Sequence, residues 1–418
     1  MPTISIDNHK LGKRKSRPIL NGVARSAVHK VLQHLRFGKL IIEENGEVFT
    51  FGETTENFDL VANIYVHDSV AYRDVLLEGT VGAGESYMLN QWSSPDLLKV
   101  IRIFVANMAV IERMDGNTSW FSKLSSSVIH HLNINTKRGS KRNISAHYDL
   151  GNDFFDLILD KKMMYSAAIY PDKDSDLETA ANNKLEKICQ KLQLKPTDHL
   201  LEIGTGWGGM AIYAAKNYGC KVTTTTISQQ QFDYAKAWVE KEGLQDRIEL
   251  LLEDYRDLTG TYDKLVSIEM IEAVGHKFYK SYFSQCSSLL KDDGLMVIQA
   301  ITIADQRFQQ AKSAVDFIQK YIFPGGCLPS NEVIAKQVSN ATDMQIVGLE
   351  DITSHYARTL KDWRRRFFSN LDEVKRQGFN SRFIRMWEFY LCYCEGGFAE
   401  RVISTAQIVF AKPRARLG

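Results

Sequence analysis

Four glycines follow a short apolar run that ends in an acid, and their spacing suits a turn that lets a ligand approach the backbone. The segment LLEIGTGWGG contains Glu202 and then Gly204, Gly206, Gly208 and Gly209. Glycine tolerates the positive backbone angles of a tight turn and carries no Cβ atom that would block a ligand. Residues 210–217 read as a helix, whose first N–H groups have no intrahelical acceptor. The pattern predicts a strand, a glycine turn and a helix start that together hold a small ligand.

The same glycines also fit the G-x-G-x-x-G spacing of dinucleotide sites. Such a site needs an acid roughly 20 residues later, at the end of the second strand. Here the second predicted strand, 221–226, runs into Thr-Ile-Ser-Gln, which contains no acid. A nicotinamide or flavin site is therefore disfavoured.

Strands and helices alternate around the glycine turn. Strands are predicted at 199–203, 221–226, 248–252, 264–269 and 294–301, and helices at 209–217, 229–242 and 277–290. This alternation predicts an α/β fold with a doubly wound, mostly parallel sheet. Ligands bind such a sheet at the carboxyl ends of its strands. Four loops are therefore expected to meet at one site: 203–209, 226–231, 252–257 and 270–276.

The sequence before this sheet does not show the same alternation of strands and helices. Asn45-Gly46 lies between two β-rich runs, which predicts a hairpin with a type I′ turn. We predict a small α+β domain with a lipid-binding or docking role at 1–120, a linker at 121–145 and the doubly wound domain at 146–418. A final strand is predicted at Thr405–Lys412.

The composition excludes several classes of protein. Among 418 residues, 52 Lys and Arg nearly balance 50 Asp and Glu, so no overall field favours nucleic acid. The sequence contains no run of 18 uncharged apolar residues, so no membrane span is predicted. The N-terminus lacks the apolar core of a secretory signal. Six scattered cysteines fit a reduced, cytoplasmic compartment.

Eight segments together resemble the cyclopropane-fatty-acyl-phospholipid synthases, in a divergent branch. They are HYDLGNDFF, MYS, LLEIGTGWGG, TTISQQQ, LEDYRDL, SIEMIEAVG, DFIQKYIFPGGCLPS and YLCYCEGGF, in the family's order between about 147 and 412. The resemblance implies a Rossmann-like methyltransferase fold and S-adenosylmethionine as cofactor. It implies transfer of a methyl(ene) group to the double bond of unsaturated phospholipid acyl chains, which gives a cyclopropane or a methyl- or methylene-branched chain.

The resemblance also implies roles for individual residues, and none of them is a metal ligand. The cofactor-binding positions are Tyr165, Ser166, Glu202, Gly204, Gly206, Thr226, Ser228, Gln231, Asp254 and Tyr255. The catalytic positions are Glu272, Tyr356 and Glu350. An aromatic lining is expected among Tyr148, Phe154, Phe155, Tyr165, Tyr321 and Phe323.

Three positions depart from the family's pattern. Better-known members hold a bicarbonate base with a cysteine and a histidine, where this chain has Ala167 and Gln299. The usual histidine after the motif acid is Ala273. Bicarbonate binding is therefore doubtful, and the identity of the final product stays open.

Glu272 is the best candidate for the base, or for the group that holds it. It lies in the loop after the fourth strand, where an apolar slot would raise its pKa. The alternative is an acid in the first turn of the next helix, where the helix dipole favours it. Glu269, three residues earlier, is interpreted as structural.

The substrate class implies peripheral contact with the inner face of the membrane from the cytoplasm. Basic runs at 10–17 and 137–142 fit such contact, although solvated surface segments are the alternative. A homodimer is one open alternative for the oligomeric state. Two other functions stay open: a methyltransferase of a soluble metabolite, and a lipid-binding protein with a catalytically weakened methyltransferase domain.

Overall fold

The computed structural model describes residues 16–108 and 150–417, which form two compact units. The first unit contains the described residues up to 108 together with 313–322 and 367–402. The second contains 150–312, 323–366 and 403–417. The predicted linker, 121–145, lies outside the described residues.

The chain forms the following helices and strands in order. They are α1 (Pro18–Leu32), β1 (Lys39–Glu44), β2 (Glu47–Phe51), β3 (Val61–Val66), α2 (Val70–Met88), β4 (Trp92–Ser93), α3 (Leu97–Ala106), α4 (Asn152–Asp156), α5 (Leu177–Lys191), β5 (His199–Ile203), α6 (Gly209–Tyr218), β6 (Lys221–Thr225), α7 (Gln229–Lys241), β7 (Ile248–Leu251), β8 (Tyr262–Ile268), α8 (Ile271–Val274), α9 (Tyr279–Leu289), β9 (Leu290–Ile303), α10 (Phe308–Ala311), α11 (Phe317–Tyr321), α12 (Asn331–Ala341), β10 (Gln345–Asp351), α13 (Thr353–Ser369), α14 (Leu371–Arg376), α15 (Ser381–Ala399) and β11 (Ile403–Ala411).

The first unit is built on a four-stranded sheet in the order β2-β1-β3-β4. β1 and β2 are antiparallel and joined by the predicted turn, where Asn45 and Gly46 have φ angles of 52° and 81°. Two positive angles define the type I′ turn, which suits the twist of a hairpin.

Two late segments, which the sequence analysis assigned to the doubly wound domain, pack with the first unit. Phe317 of α11 is fully buried, and its ring lies 4.7 Å from that of Phe389 on α15. A Cβ atom at Gly84 of α2 would lie 2.3 Å from the Phe317 ring, so only glycine permits this approach. Aromatic packing between residues distant in sequence explains why local patterns did not reveal the assignment.

The second unit contains a seven-stranded sheet in the order β10-β11-β9-β8-β5-β6-β7. β9, β8, β5, β6 and β7 are parallel, and β11 runs antiparallel to both of its neighbours. The predicted doubly wound α/β fold is therefore confirmed.

Both faces of this sheet are covered by apolar clusters. On β5, Leu201 joins a cluster with Phe283 of α9, and Leu200 joins another with Leu185 of α5. Successive side chains of a strand point to opposite faces, so the two clusters lie on the two sides of the sheet. Each large buried apolar side chain stabilises the fold by about 1.5–3 kcal/mol. The resulting rigid sheet holds the loops at its carboxyl edge in place.

Candidate active site

The glycine turn follows β5 and is fixed to β6. Gly204, Gly206 and Gly208 have φ angles of 101°, 53° and 98°, which residues with a Cβ atom rarely adopt. The N–H groups of Gly204 and Thr205 donate to the carbonyl oxygen of Thr225. A Cβ atom at Gly206 would meet no atom within 4 Å. Open space therefore lies beside the turn, as cofactor binding requires.

Glu202, the last acid before the turn, is buried within the sheet. Its Oε2 accepts a hydrogen bond of 2.7 Å from the hydroxyl of Thr224, its direct neighbour on β6. Burial raises the pKa of Glu202 to about 8, because an ionised carboxylate is disfavoured away from water. A ligand that donates hydrogen bonds or brings positive charge would favour the ionised form.

Thr226, Ser228 and Gln231 form one buried hydrogen-bonded cluster after β6. The Thr226 hydroxyl donates to Gln231 Oε1 at 2.8 Å and accepts from the Ser228 N–H at 3.1 Å. Ser228 Oγ accepts from the N–H of Gln231 and so caps α7. The three predicted residues of this loop are thus brought together and held in one arrangement.

Asp254 and Tyr255 follow β7, at the next strand end. The Asp254 carboxylate accepts hydrogen bonds from the Arg256 side chain, at 2.7 Å from Nε, and caps a short 3₁₀ turn. The Tyr255 ring lies edge-on to Tyr282 at 5.6 Å. Both predicted residues are therefore fixed at the carboxyl edge of the sheet.

Ser166, a predicted cofactor contact, is bonded to a buried cation. Its Oγ accepts a hydrogen bond of 2.7 Å from Lys184 Nζ, and Lys184 has 0% exposure. Burial lowers the pKa of Lys184 to about 8, while the negative charges of Glu269, Asp160 and Glu202 act in the opposite direction. The second unit thus holds a positive group beside its buried acids.

The sequence analysis missed Lys184, although the sequence carries a signal for it. On α5 the lysine occupies the same buried stripe as Ala181, Leu185 and Ile188. A lysine at a core position of an amphipathic helix is rarely buried without a partner. Such a residue is a candidate for a site.

Tyr165 lies in a group of aromatic rings. Its ring centroid is 5.2 Å from those of Phe155 and Trp363 and 6.2 Å from that of Phe323. Phe154 packs on Phe155 at 5.6 Å. Four of the six aromatic residues predicted for the lining are thus brought together.

The other two members of the predicted lining lie elsewhere. Tyr148 is outside the described residues. Tyr321 belongs to the first unit, where its hydroxyl donates a hydrogen bond of 2.5 Å to Glu85.

Glu269, in the loop that follows β8, accepts hydrogen bonds from three different segments of the chain. Its Oε1 accepts hydrogen bonds from the Ala167 N–H at 2.8 Å and from Gln299 Nε2 at 2.7 Å. Its Oε2 accepts one from the Tyr356 hydroxyl at 2.7 Å. Burial raises the pKa of Glu269, and the three donors oppose that shift because they favour the anion. The side chain interpreted as structural from sequence is therefore joined to three positions of the candidate site.

Glu272 lies in the first turn of the short helix α8, and its carboxylate has different hydrogen-bond partners. Its Oε1 accepts from the N–H of Ile301 on β9. Its Oε2 is buried and has no hydrogen-bond partner among the residues that the structure describes. Burial, together with the charge of Glu269, raises the pKa of Glu272 to about 8. An unpaired buried oxygen is costly, so this atom suits a proton or a cationic ligand.

The structure places Glu350 apart from the other two predicted catalytic residues, and its catalytic role stays a prediction. It is on β10, an edge strand of the sheet, with β11 between it and β9. Its side chain is 45% exposed and forms an ion pair with Lys191. An edge strand has no strand beside it on one side, which accounts for the partial exposure of Glu350.

Within 16–108 and 150–417, no group of three or more His, Cys, Asp or Glu side chains is arranged to hold a metal ion.

Comparison with known proteins gives a consistent result. The profile of the mycolic acid cyclopropane synthetase family matches residues 135–408. The tuberculostearic acid methyltransferase UfaA1 of Mycobacterium tuberculosis is 36% identical over 370 residues, which cover 86% of each chain. The cyclopropane-fatty-acyl-phospholipid synthase of Escherichia coli K12 is 37% identical over 359 residues, which cover 84% of this chain and 88% of that protein.

Solved structures agree with these relatives. The cyclopropane synthase MmaA2 of Mycobacterium tuberculosis superposes with a TM-score of 0.61 at 28% identity, over 65% of this chain and 98% of that one. The mycolic acid cyclopropane synthase CmaA1, complexed with SAH and CTAB, gives a TM-score of 0.61 at 29% identity, over the same shares.

Proposed function

The chain belongs to the mycolic acid cyclopropane synthetase family and is an S-adenosylmethionine-dependent methyltransferase, and on that premise we propose a reaction for it. It transfers a methyl(ene) group to the double bond of unsaturated acyl chains in membrane phospholipids. The product is a cyclopropane or a methyl- or methylene-branched chain. One observation carries the proposal: two partly buried acids, Glu269 in the loop after β8 and Glu272 in the first turn of α8, lie at the sheet edge that also bears the glycine turn.

The carboxyl edge of the sheet offers fitting partners for each part of the cofactor, whose sulfonium makes its methyl group electrophilic. Glu202, Gly204 and Gly206 are proposed to hold the methionine part. The ribose and adenine are assigned to the loops after β6 and β7, through Thr226, Ser228, Gln231, Asp254 and Tyr255. Tyr165 and Ser166 are proposed to contact the cofactor from the segment before α5.

Bound S-adenosylmethionine would supply an electrophilic methyl: the alkene electrons would form the new C–C bond, and the electrons of the C–S bond would stay on sulfur. The second alkene carbon becomes a cation, which must be kept from water. The rings around Tyr165 support this step, because aromatic faces stabilise a nearby cation. Loss of a proton from the new methyl closes a ring. If a hydride first shifts from the methyl-bearing carbon to the cationic carbon, loss of the same methyl proton leaves a methylene branch, whereas loss of a proton from a chain carbon leaves a methyl-branched alkene.

We assign proton removal to Glu272 and a supporting role to Glu269. A general base works best when its pKa lies near the working pH, and the pKa of Glu272 is about 8. Its Oε2 is not engaged by another described group. Glu269 accepts three hydrogen bonds, which stabilise it as an anion and make it the weaker proton acceptor.

An external bicarbonate ion is not part of the proposed mechanism. The two positions that depart from the family's bicarbonate-holding residues, Ala167 and Gln299, both donate to the Glu269 carboxylate. A carboxylate of the chain thus already accepts the hydrogen bonds that these positions offer to an anion.

We propose that the protein reaches its substrate by peripheral contact with the inner face of the membrane. Among the described residues, no helix has the length and apolar content needed to span a membrane. Helix α1 exposes Ile19 by 83% and Val23 by 63%, which supports contact with an apolar surface. The basic runs at 10–17 and 137–142 lie outside the described residues, apart from 16 and 17. A homodimer is a further proposal, which sedimentation would test.

The reaction is tested with a cofactor whose transferred methyl is fully deuterated. Purified protein is incubated with this cofactor and unsaturated phospholipid vesicles, and the fatty acids are analysed by mass spectrometry. Two retained deuterium atoms, with no change of mass on hydrogenation, identify a ring. Two retained atoms, with a gain of mass on hydrogenation, identify a methylene branch. Three retained atoms identify proton loss from a chain carbon. Transfer of label to a soluble metabolite, or cofactor binding without turnover on any lipid, would overturn the proposal.

A further inference from the structure

A row of hydrogen bonds, each donated in the same direction, links the partly buried acid Glu269 to a lysine at the end of α5. Lys191 Nζ donates to Gln407 Oε1. Gln407 Nε2 donates to Gln299 Oε1 at 2.9 Å. Gln299 Nε2 donates to Glu269 Oε1 at 2.7 Å and to the carbonyl oxygen of Ala167 at 3.0 Å. The row therefore reaches from a partly exposed amine to the proposed catalytic loop.

The sheet itself brings these side chains into line. Gln407 on β11 and Gln299 on β9 are direct partners in the antiparallel register. Both are buried, with exposures of 0% and 1%. Lys191 is the last residue of α5 and approaches Gln407 from outside the sheet, with its side chain 20% exposed.

The chemistry at the two ends fixes the direction of both amides. A lysine ammonium can only donate hydrogen bonds, and an ionised carboxylate can only accept them. Gln407 must therefore turn its oxygen to Lys191 and its amide N–H₂ to Gln299. Gln299 must then turn its oxygen to Gln407 and its N–H₂ to Glu269.

We propose that Lys191 and Gln407 are positioning residues, which set the Gln299 amide so that it donates to Glu269 and keeps this acid ionised. This inference rests on the function proposed above for the two acids. Without the lysine, Gln407 is free to rotate and present its oxygen in either direction. If Gln299 then reverses, its oxygen faces the carboxylate, which favours protonation of Glu269.

Three variants and a matched control test the row. Lys191→Met keeps the aliphatic stem and removes the donor, whereas Lys191→Arg keeps a donor. In Gln407→Glu the new carboxylate can accept a hydrogen bond from Lys191 but cannot donate one to Gln299. Gln299 should therefore turn its N–H₂ to the new carboxylate and its oxygen to Glu269. Lys187→Met removes an amine one turn earlier on α5, near Lys191, but leaves the row intact.

Two measurements are made on the full-length protein. The first is the infrared titration of buried carboxyl groups in the ligand-free protein, with the Glu269 band assigned as the one lost in Glu269→Gln. In Lys191→Met and Gln407→Glu this band should titrate at a pH higher by about one unit. The second is turnover. In the same two variants kcat should fall about tenfold, because the lost hydrogen bond involves a charged group. KM and the Kd for S-adenosylmethionine should stay unchanged. Lys191→Arg and Lys187→Met should behave as wild type.

The outcomes separate this inference from the proposed function. An unchanged Glu269 titration in both Lys191→Met and Gln407→Glu overturns the role of the row, even if turnover falls. An equal shift in Lys187→Met also overturns it, because general charge would then explain the effect. If wild-type protein modifies no lipid but the titration shifts only in the two row variants, the proposed function fails and the positioning role stands.

Discussion

The hydroxyl of Tyr356 donates to Oε2 of Glu269 across 2.7 Å, and this bond ties α13 to the loop that follows β8. Because Oε1 already accepts two hydrogen bonds, both oxygens of Glu269 are engaged. In Glu272, by contrast, Oε2 is buried without a partner among the described residues. The two acids, three residues apart, therefore differ in hydrogen bonding: Glu269 is stabilised as an anion, and Glu272 has an oxygen that can accept a proton.

Tyr356→Phe should lower kcat about tenfold, because it removes a hydrogen bond to a charged group without changing the ring. The Kd for S-adenosylmethionine, measured by calorimetric titration, should change little. Tyr213→Phe is the matched control, since the Tyr213 hydroxyl also donates to a carboxylate, that of Glu186, at 2.8 Å. Equal activity in the two variants would show that the Tyr356 bond has no part in turnover.

Glu272→Gln should lower the rate by roughly 10²- to 10⁴-fold, the usual contribution of a positioned base. The amide keeps the shape of the side chain but not its basicity, so cofactor binding should persist. In wild type, kcat/KM should rise with pH up to about 8, because the pKa of Glu272 is raised to about 8 and a base must be unprotonated to act. In the variant this rise should disappear.

Initial rates on unsaturated phospholipid vesicles across pH 6–9 test both statements about Glu272. A variant within threefold of wild type would remove Glu272 from the mechanism. A wild-type rate that does not depend on pH in this range would contradict its assignment as the base.

Local sequence patterns were sufficient to predict the doubly wound sheet and the glycine turn. β5 has the predicted bounds, and the predicted glycine turn follows it. The turn was predictable because its positive φ angles require glycine at those few positions. The hairpin at Asn45-Gly46 was predicted for the same reason. Where the conformation is decided by neighbours in sequence, the sequence is enough.

The residues around the two acids were harder to predict because tertiary contacts define their roles. Glu269 gains its importance from donors that lie 102, 30 and 87 positions away in sequence. The resemblance emphasised the acid of the motif, Glu272, and gave no reason to choose its neighbour. Gln299 was noted as a departure, but only the register of β9 and β11 pairs it with Gln407. A buried amide in an apolar strand was the available signal.

Gly206→Val should weaken S-adenosylmethionine binding strongly while the protein still folds. The side chain would enter the open space beside the turn, where the ligand must approach. The residue also has a φ angle of 53°, so part of any effect is backbone strain. Gly243→Val isolates that part, because Gly243 has a φ angle of 67° and equally open surroundings, at a position not predicted to contact the cofactor. Calorimetric titration of both variants decides the matter, and equal affinities would contradict the cofactor assignment.

Binding to anionic phospholipid vesicles should weaken as salt concentration rises. Exposed charges are screened over about 10 Å at 0.1 M salt and about 3 Å at 1 M, so an electrostatic contribution from the basic runs would fade. Co-sedimentation with vesicles over this range measures the effect, with uncharged vesicles as control. Binding that is strong and independent of salt would indicate apolar insertion alone, for which Ile19 and Val23 are candidates.

Turnover should depend little on added bicarbonate, because the carboxylate of Glu269 already accepts the hydrogen bonds of Ala167, Gln299 and Tyr356. In buffer freed of carbon dioxide the wild-type rate should stay within twofold of its value with bicarbonate. Glu269→Ala removes the carboxylate that accepts these three hydrogen bonds, while Gln299 Nε2 keeps its bond to the Ala167 carbonyl oxygen. Its rate should be low in the same buffer and partly restored by bicarbonate, which offers acceptor oxygens of similar geometry, but not by chloride at equal ionic strength. A strong bicarbonate requirement in wild type would show that an external ion is held beside Glu269 after all.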